Sequence, residues 1–542
     1  MRDDMIARKF DKLEKYVFLT VIAISLLPVL TNTFLPTMDG AAHLYNSNLI
    51  NALLFENNPQ IHEFFVLNQE PVPNWIGHFI LAVFNLFLPS FVAEKILVLF
   101  YLIAFPLSFR ALLKTIHPEN YVVFSYLIFP FSYSFLFLLG FYNFSIALLL
   151  LFITLNYWIK NEDHLFSKKN IFVLFLLTTL TYFSHIFIFG LLLFFIGVHI
   201  VTKAVMTLVD NYPLQVKEAG KSVLKKSGIV LLSAFVPLLL LLNYFLSRDT
   251  PGNANFLEYS ELIKWLKEIR PIIVYDFVFE ATYTKKIFYV LMAMTVVSLY
   301  LQITGRFFSR GNPSPSAKGK IVLSNFWLIL ALSMLLFYFV LPDSDGTAGF
   351  VSVRLGLLFF IVLIIWLSTQ RLPKWFTILG VLVVLYCNLR LTVYYSSVIR
   401  DLDNVAVECY EMSEKIAPNS VVLPLNYSDN WLAPHFSNYL GVDKPMVILE
   451  NYECATGYFP VKWNEAKIPA TLLGTTPPEQ YSCLEWKSNA QSSLKKPIDY
   501  VFILGDIDSG TDSCTASIKE NLEQNYSLIS KTENCQLFKR KT

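Results

Sequence analysis

Apolar runs long enough to cross a bilayer recur along this chain, and that feature leaves few folds open. They lie at about 16–35, 95–114, 119–136, 140–159, 228–246, 285–304, 321–341, 353–369 and 374–394. A helix rises about 1.5 Å per residue, so roughly twenty apolar residues match the ~30 Å hydrocarbon core. Of the 542 residues, 55% are hydrophobic and 15% charged; soluble domains carry roughly 25% charged residues. No water-soluble core hides that much Phe, Leu, Ile and Val. A soluble globular domain, a disordered chain, a coiled coil and a small disulfide scaffold are excluded. Nothing in the sequence reads as a nucleic-acid surface. The expected class is a polytopic α-helical membrane protein.

Charge placement orders the crossings. Arg2, Arg8, Lys9, Lys12 and Lys15 start the chain and hold the N-terminus in the cytoplasm. The first run ends in TNTFLPTMDG, which has no small-x-small cleavage site, so it reads as a helix rather than a signal peptide. Basic loops at 160–170, 203–227 and 305–320 belong on the same side. Two of them flank 171–201, so that stretch crosses twice and turns at Ser184-His185. Arg110 and Lys114 prefer the cytoplasm too, which requires the apolar stretch 75–91, broken by Pro89, to be re-entrant or interfacial. The expected count is about 11 transmembrane helices, with the C-terminal part outside.

Residues 395–542 carry 13 Lys and Arg against 19 Asp and Glu, a net of −6, while 1–394 has a net of +8. The expected domains are a membrane domain, 1–394, with long outer loops at 36–94 and 247–284, and a soluble extracytoplasmic domain, 395–542. In the latter a helical pattern at 402–416 precedes three short buried strands, VVLPL at 421–425, MVILE at 446–450 and YVFILG at 500–505. SLISKTENCQLFKR reads as a closing hairpin. That alternation predicts a small α/β layer. Trp431, His435, Asn451, Tyr452 and Glu453 fall near strand ends, where open α/β sheets place ligands. Packing of the domain against the membrane body is the favoured reading of them. Five of the six cysteines, Cys409, Cys454, Cys483, Cys514 and Cys535, lie here, in a compartment where disulfides persist. Cys514 with Cys535 is the expected pair; no zinc spacing is present.

The topology collects candidate residues on the outer face. Asp39 and His43, in PTMDGAAHLYNS, are four apart at the start of a helix expected over 40–55, so they share a face. A carboxylate beside an imidazole at the membrane–water boundary suits a general base acting on a hydroxyl. Asp39 also stands where a helix N-cap belongs. Tyr142 and Asn143 lie in the turn LGFYNF, and His185 in YFSHIF. Arg354 sits at the outer end of a helix, against the cytoplasmic bias of arginine. There it either snorkels to headgroups or grips a phosphate with its planar fork.

With one helix, a long outer loop opening on DGAAH, and LGFYNF before the fourth helix, the chain resembles the GT-C superfamily of membrane glycosyltransferases. That group includes the oligosaccharyltransferase catalytic subunit, protein O-mannosyltransferases and aminoarabinose transferases. The likeness covers the architecture of 1–394; bacterial members with an added outer domain are similar to the whole. It implies a polyprenyl-phosphate-linked sugar donor, a glycan, lipid or protein acceptor, and a place in the bacterial cytoplasmic membrane. It gives Asp39 the catalytic-base role. It places substrate contacts at His43, Tyr142, Asn143 and His185, and a lipid-phosphate contact at Arg354. Asn143 stands where the oligosaccharyltransferase has acidic residues, so a divalent cation, Mg²⁺ or Mn²⁺, is left without assigned ligands.

A transporter, flippase or lipid-glycan binding protein would use the same outer residues as a headgroup site. Transporters gather polar residues at the midplane, often within inverted repeats; here there is no repeat, and the polar residues gather at one face. A lipid-linked glycan ligase fits the same architecture.

Overall fold

The computed structural model describes residues 2–211, 216–246, 253–308, 315–344, 349–464, 467, 498–510 and 513–541. The chain is a polytopic helical membrane protein. Among the described residues seven helices are long and apolar enough to cross a bilayer: Lys12–Leu30, Ser90–Ile116, Tyr142–Lys160, Ile186–Leu208, Phe277–Thr304, Val351–Ser368 and Lys374–Lys415. Val216–Ser233 and Phe235–Leu246, bent by 67° at their break, make an eighth if they form one span.

The run at 119–136 differs from expectation, because it is not one helix. It is a turn of helix at Tyr121–Phe124, a 3-10 stretch at Ser125–Phe131 and another turn at Phe135–Leu138. Pro130 lacks an N–H and fixes its own φ, and Ser134 draws the Phe137 amide to its side chain at 3.2 Å. The stretch at 171–201 is two helices, Lys168–Ser184 and Ile186–Asn211, with His185 extended between them (φ −162, ψ 120). Ile76–Asn85 is a separate short helix. Its ten residues span about 15 Å, half a hydrocarbon core.

Two compact units divide the chain. The first comprises Met1–Leu26, Tyr101–Phe137 and Phe144–Tyr395. In it Glu14 accepts both Arg110 Nη groups, at 2.7 and 2.6 Å. Glu162 binds Lys203 at 2.9 Å and Lys226 at 2.6 Å. These pairs join the basic loops 160–170 and 203–227, and place Arg110 at the level of the first helix's charged start.

The second unit comprises Leu27–Phe100, Leu138–Asn143 and Ser396–Thr542. The first unit ends at Tyr395 and the second resumes at Ser396, and the second also takes in the loop 36–94. The reason is the loop's helix, Gly40–Phe55, which is buried nearly all round and needs cover on every side. Tyr45 donates its hydroxyl to Met446 O (2.8 Å) and accepts the Ile448 amide (3.2 Å). Asp403 accepts the amides of Thr33 and Phe34, at 2.7 and 2.8 Å.

Among the described residues, seven strands lie in this unit. β1 (Phe65–Leu67) pairs antiparallel with β4 (Val461–Trp463). β2 (Val421–Tyr427), β3 (Val447–Ile448), β5 (Tyr500–Gly505), β6 (Tyr526–Lys531) and β7 (Cys535–Arg540) form a second sheet, in the order β3-β2-β5-β7-β6. β2 runs parallel to β3 and β5; β7 is antiparallel to β5 and β6. Pro424 sits inside β2, where a proline normally breaks a ladder. Here it does not, because the Val422 carbonyl faces β3 and the alternation turns Pro424 to that side, beyond the end of β3.

Cys535 does not form the expected pair. It is a free, buried thiol, and its Sγ lies 3.6 Å from Cys409 Sγ. The helix Lys374–Met412 carries Cys409 onto the sheet beside β7. Cys483 and the side chain of Cys514 lie outside the described residues.

Candidate active site

The site grows from the first turn of the Gly40–Phe55 helix. Asp39 occupies the N-cap position but makes no side-chain capping bond. Thr37 replaces it, its hydroxyl accepting the Gly40 amide at 3.0 Å. The Asp39 carboxylate is therefore free of the local duty that position usually imposes. It is 5% exposed and lies 3.8 Å from Nε2 of His435. The Tyr452 hydroxyl is close enough to influence it without reaching a well-formed hydrogen bond.

Gly140 makes this turn compact. Its φ is +92, and a Cβ there would stand 2.7 Å from Thr37 Oγ1 and 2.9 Å from the Gly40 amide. Only glycine combines that backbone angle with that approach. The Asp39 amide donates to Leu139 O, and the Gly140 carbonyl accepts from Nε2 of His43 at 2.9 Å.

Two imidazole–carboxylate groups flank Asp39. In one, Glu450 accepts Nδ1–H of His435 at 2.8 Å, and Asn438 donates to the other Glu450 oxygen at 2.7 Å. His435 stacks on Tyr452, ring centroids 4.3 Å apart. In the other, Glu453 lies between two histidines: Nδ1 of His43 at 2.5 Å and Nε2 of His78 at 2.8 Å. Their outer nitrogens face backbone carbonyls, Gly140 for His43 and Asn74 for His78 (3.2 Å). Asn46 and Asn451 exchange amide hydrogen bonds at 3.1 and 3.0 Å, which locks the helix carrying His43 to the turn carrying Glu453.

Burial and charge oppose each other in this cluster. Burial pushes the Asp39 carboxyl above the ordinary aspartate value, and the nearby His435 and His43 only temper that rise. Burial also opposes the charge on Glu453, but His78 and His43 outweigh it and pull the carboxyl down to about 2. Burial resists a cation on His43 as well; Glu453 and then Asp39 raise its pKa nonetheless. His435 follows the same pattern, raised chiefly by Glu450 against its burial. A lone buried carboxylate costs several kcal/mol, so Glu453 is held ionised by its partners, whereas Asp39 keeps a proton affinity suited to base chemistry.

Of the sequence candidates, Asp39, His43, Tyr142 and Asn143 come together in the second unit. Tyr142 donates to Glu94 at 2.9 Å, and its hydroxyl lies 3.3 Å from that of Thr37. Asn143 accepts the Gly77 amide at 2.7 Å and donates to Asn74 O at 3.0 Å, which clamps the turn that presents His78. His185 and Arg354 belong to the first unit, where both meet Phe144. His185 stands edge-on to that ring at 5.3 Å, and the Arg354 guanidinium lies 5.8 Å from its centroid.

Sequence reasoning did not single out His78, Glu94 or Glu450. A histidine inside the apolar helix IGHFILAVFN was the available signal for His78. The donors of His43, His78 and Glu453 all lie within 4.8 Å of one another and could hold a metal ion. No protein-family model, curated protein or solved structure matches this chain.

Proposed function

We propose that this protein is an integral-membrane glycosyltransferase. It moves a sugar from a polyprenyl-phosphate donor to an acceptor hydroxyl at the extracytoplasmic face of a bacterial cytoplasmic membrane. The observation that carries this reading is the Asp39 carboxylate: buried, spared from capping, raised in pKa, and set beside an imidazole held by a second carboxylate. Its place at the head of the first loop is where the GT-C likeness puts an acidic residue.

In the reaction Asp39 takes the proton of the acceptor hydroxyl. The oxygen attacks the anomeric carbon, and the glycosidic bond to phosphate breaks with its electron pair left on the phosphate. The GT-C likeness would give the contact to that phosphate to Arg354, whose planar guanidinium fork suits it, and to His185. Preorganised donors to a developing anion contribute roughly 2.7–4 kcal/mol each in other enzymes.

The proposed topology has about 11 crossings with the N-terminus inside, Tyr121–Leu138 crossing as a broken segment. The Glu14–Arg110 pair and the Glu162 pairs support a shared cytoplasmic side. A cysteine at the exposed Lys221 should resist an impermeant thiol reagent in intact cells, and one at Asp508 should react.

The deciding experiment deletes the gene and profiles surface glycans and lipids by mass spectrometry. One species should lose a sugar while the polyprenyl-phosphate sugar accumulates. Unaltered glycans, with only the transbilayer distribution of the lipid-linked sugar changed, would replace this reading with transport.

A further inference from the structure

We infer that His43, His78 and Glu453 form a binding site for one divalent transition-metal ion of the zinc class. That ion would clasp the first outer loop to the C-terminal segment.

Three observations converge on this site. The donor atoms come from positions remote in sequence, yet they lie within 4.8 Å of one another. Each imidazole donates its outer N–H to a backbone carbonyl, Nε2 of His43 to Gly140 O and Nδ1 of His78 to Asn74 O. That fixes the tautomers and leaves Nδ1 of His43 and Nε2 of His78 facing the same carboxylate. A nitrogen so placed carries either a proton or a metal, and a metal-ligating histidine nearly always has such an outer partner. The side chains of all three are no more than 5% exposed, so weakly held surface ions are not in question.

The donor set selects the ion. Two imidazoles and a carboxylate suit zinc and its neighbours; magnesium, calcium and manganese prefer oxygen. Zinc takes nitrogen at about 2.0–2.1 Å and oxygen at about 2.0–2.2 Å, usually with four ligands. Three protein donors leave one position for water. On binding, the ion takes the place of the protons shared between the imidazoles and Glu453, and these leave to solvent. Glu453 then bridges to the metal rather than directly to the rings.

The clasp has a positional consequence. His43 is one helical turn beyond Asp39, and Glu453 adjoins Tyr452, which neighbours the Asp39 carboxylate. The ion therefore sets the base and its surroundings through His43 and Glu453. It stands independently of the glycosyltransferase reading, because its test measures metal and stability rather than transfer.

The full chain, purified in detergent without a histidine tag, should hold about one zinc ion per molecule by mass spectrometry. Chelation should lower the thermal midpoint, and Zn²⁺ should restore it where Mg²⁺ does not. Co²⁺ added to the chelated wild type should give the visible absorption of a four-coordinate ion, a readout that needs no variant. His78→Gln and Glu453→Gln should weaken binding by at least the roughly 10–100-fold lost when outer-shell partners are removed. His62→Gln, at an exposed histidine elsewhere, should not. A wild-type chain that takes up neither Zn²⁺ nor Co²⁺ and melts identically with and without them would overturn the site. So would full occupancy in a folded His78→Gln, Glu453→Gln double variant.

Discussion

The Gly40 amide is capped by the hydroxyl of Thr37, 3.0 Å away, and not by the adjoining Asp39. Two substitutions should therefore separate cleanly. Asp39→Asn should abolish most transfer, because general-base catalysis supplies roughly 10²–10⁴ in rate. The thermal midpoint at neutral pH should hold or rise, since burial already disfavours the ionised carboxylate. Thr37→Ala should cost stability of about 0.5–2 kcal/mol, the usual range for a lost cap. Turnover from a polyprenyl-phosphate sugar, measured with melting in detergent, decides the matter. Unchanged turnover in Asp39→Asn would move the base elsewhere.

The pH dependence follows from the same carboxylate. Burial holds its pKa up, and the charge on His435 is the largest force acting the other way. A base must be deprotonated, so the rate should climb as pH rises through this elevated pKa. Removing the cation with His435→Gln leaves burial less opposed, so the acid limb should move to higher pH. Glu450→Gln should move it in the same direction, because Glu450 chiefly keeps His435 protonated. An acid limb unmoved by both changes would mean that another group titrates.

Some of this was legible in the sequence and some was not. The break at His185 and the strands β2, β5, β6 and β7 followed from local pattern: apolar runs, turn residues and β-branched stretches. Asp39 and His43 could be paired because helical spacing is a local property. His435 and Glu453 drew attention only as polar residues near strand ends. Their meeting with Asp39 depends on the chain returning after some four hundred residues, which no periodicity encodes. His78 lay in a helix whose apolar character masked it. The run at 119–136 is not one continuous helix, because hydropathy registers burial and not helical form: Ser125–Phe131 is buried as a 3-10 stretch.

Cys409 and Cys535 are the pair to watch in an oxidising compartment. Their sulfurs are 3.6 Å apart and buried, so a modest side-chain movement brings them to bonding distance. Mild oxidation should yield a cross-linked peptide containing both residues, and stabilise the chain by about 2–4 kcal/mol. The Cys535→Ser variant should show neither effect. Recovery of Cys535 linked to Cys514 instead would show that the thiols seen here do not meet.

Arg354 tests the phosphate role. Its guanidinium lies over Phe144 and is only 8% exposed, so it is not a freely snorkelling side chain. Arg354→Lys keeps the charge but loses the bidentate fork and the planar face. Transfer should fall sharply while the protein remains folded. Equal activity with lysine would make Arg354 a simple charge anchor.

Asn143 gives the last test, because its side-chain oxygen and nitrogen each have a partner. Its oxygen accepts the Gly77 amide, and its nitrogen donates to Asn74 O, a carbonyl that His78 also uses. Asn143→Ala orphans a buried donor and takes one partner from that carbonyl; each such loss costs about 1–3 kcal/mol. Asn143→Asp is the sharper change. Aspartate keeps the acceptor for Gly77 but sets a second oxygen against the Asn74 carbonyl, so the turn should loosen and His78 lose its fixed orientation. Both variants should melt lower, and metal uptake should weaken with the turn. If aspartate instead preserved stability and raised activity with Mg²⁺ or Mn²⁺, the position would be a cation ligand and its clamp role would fail.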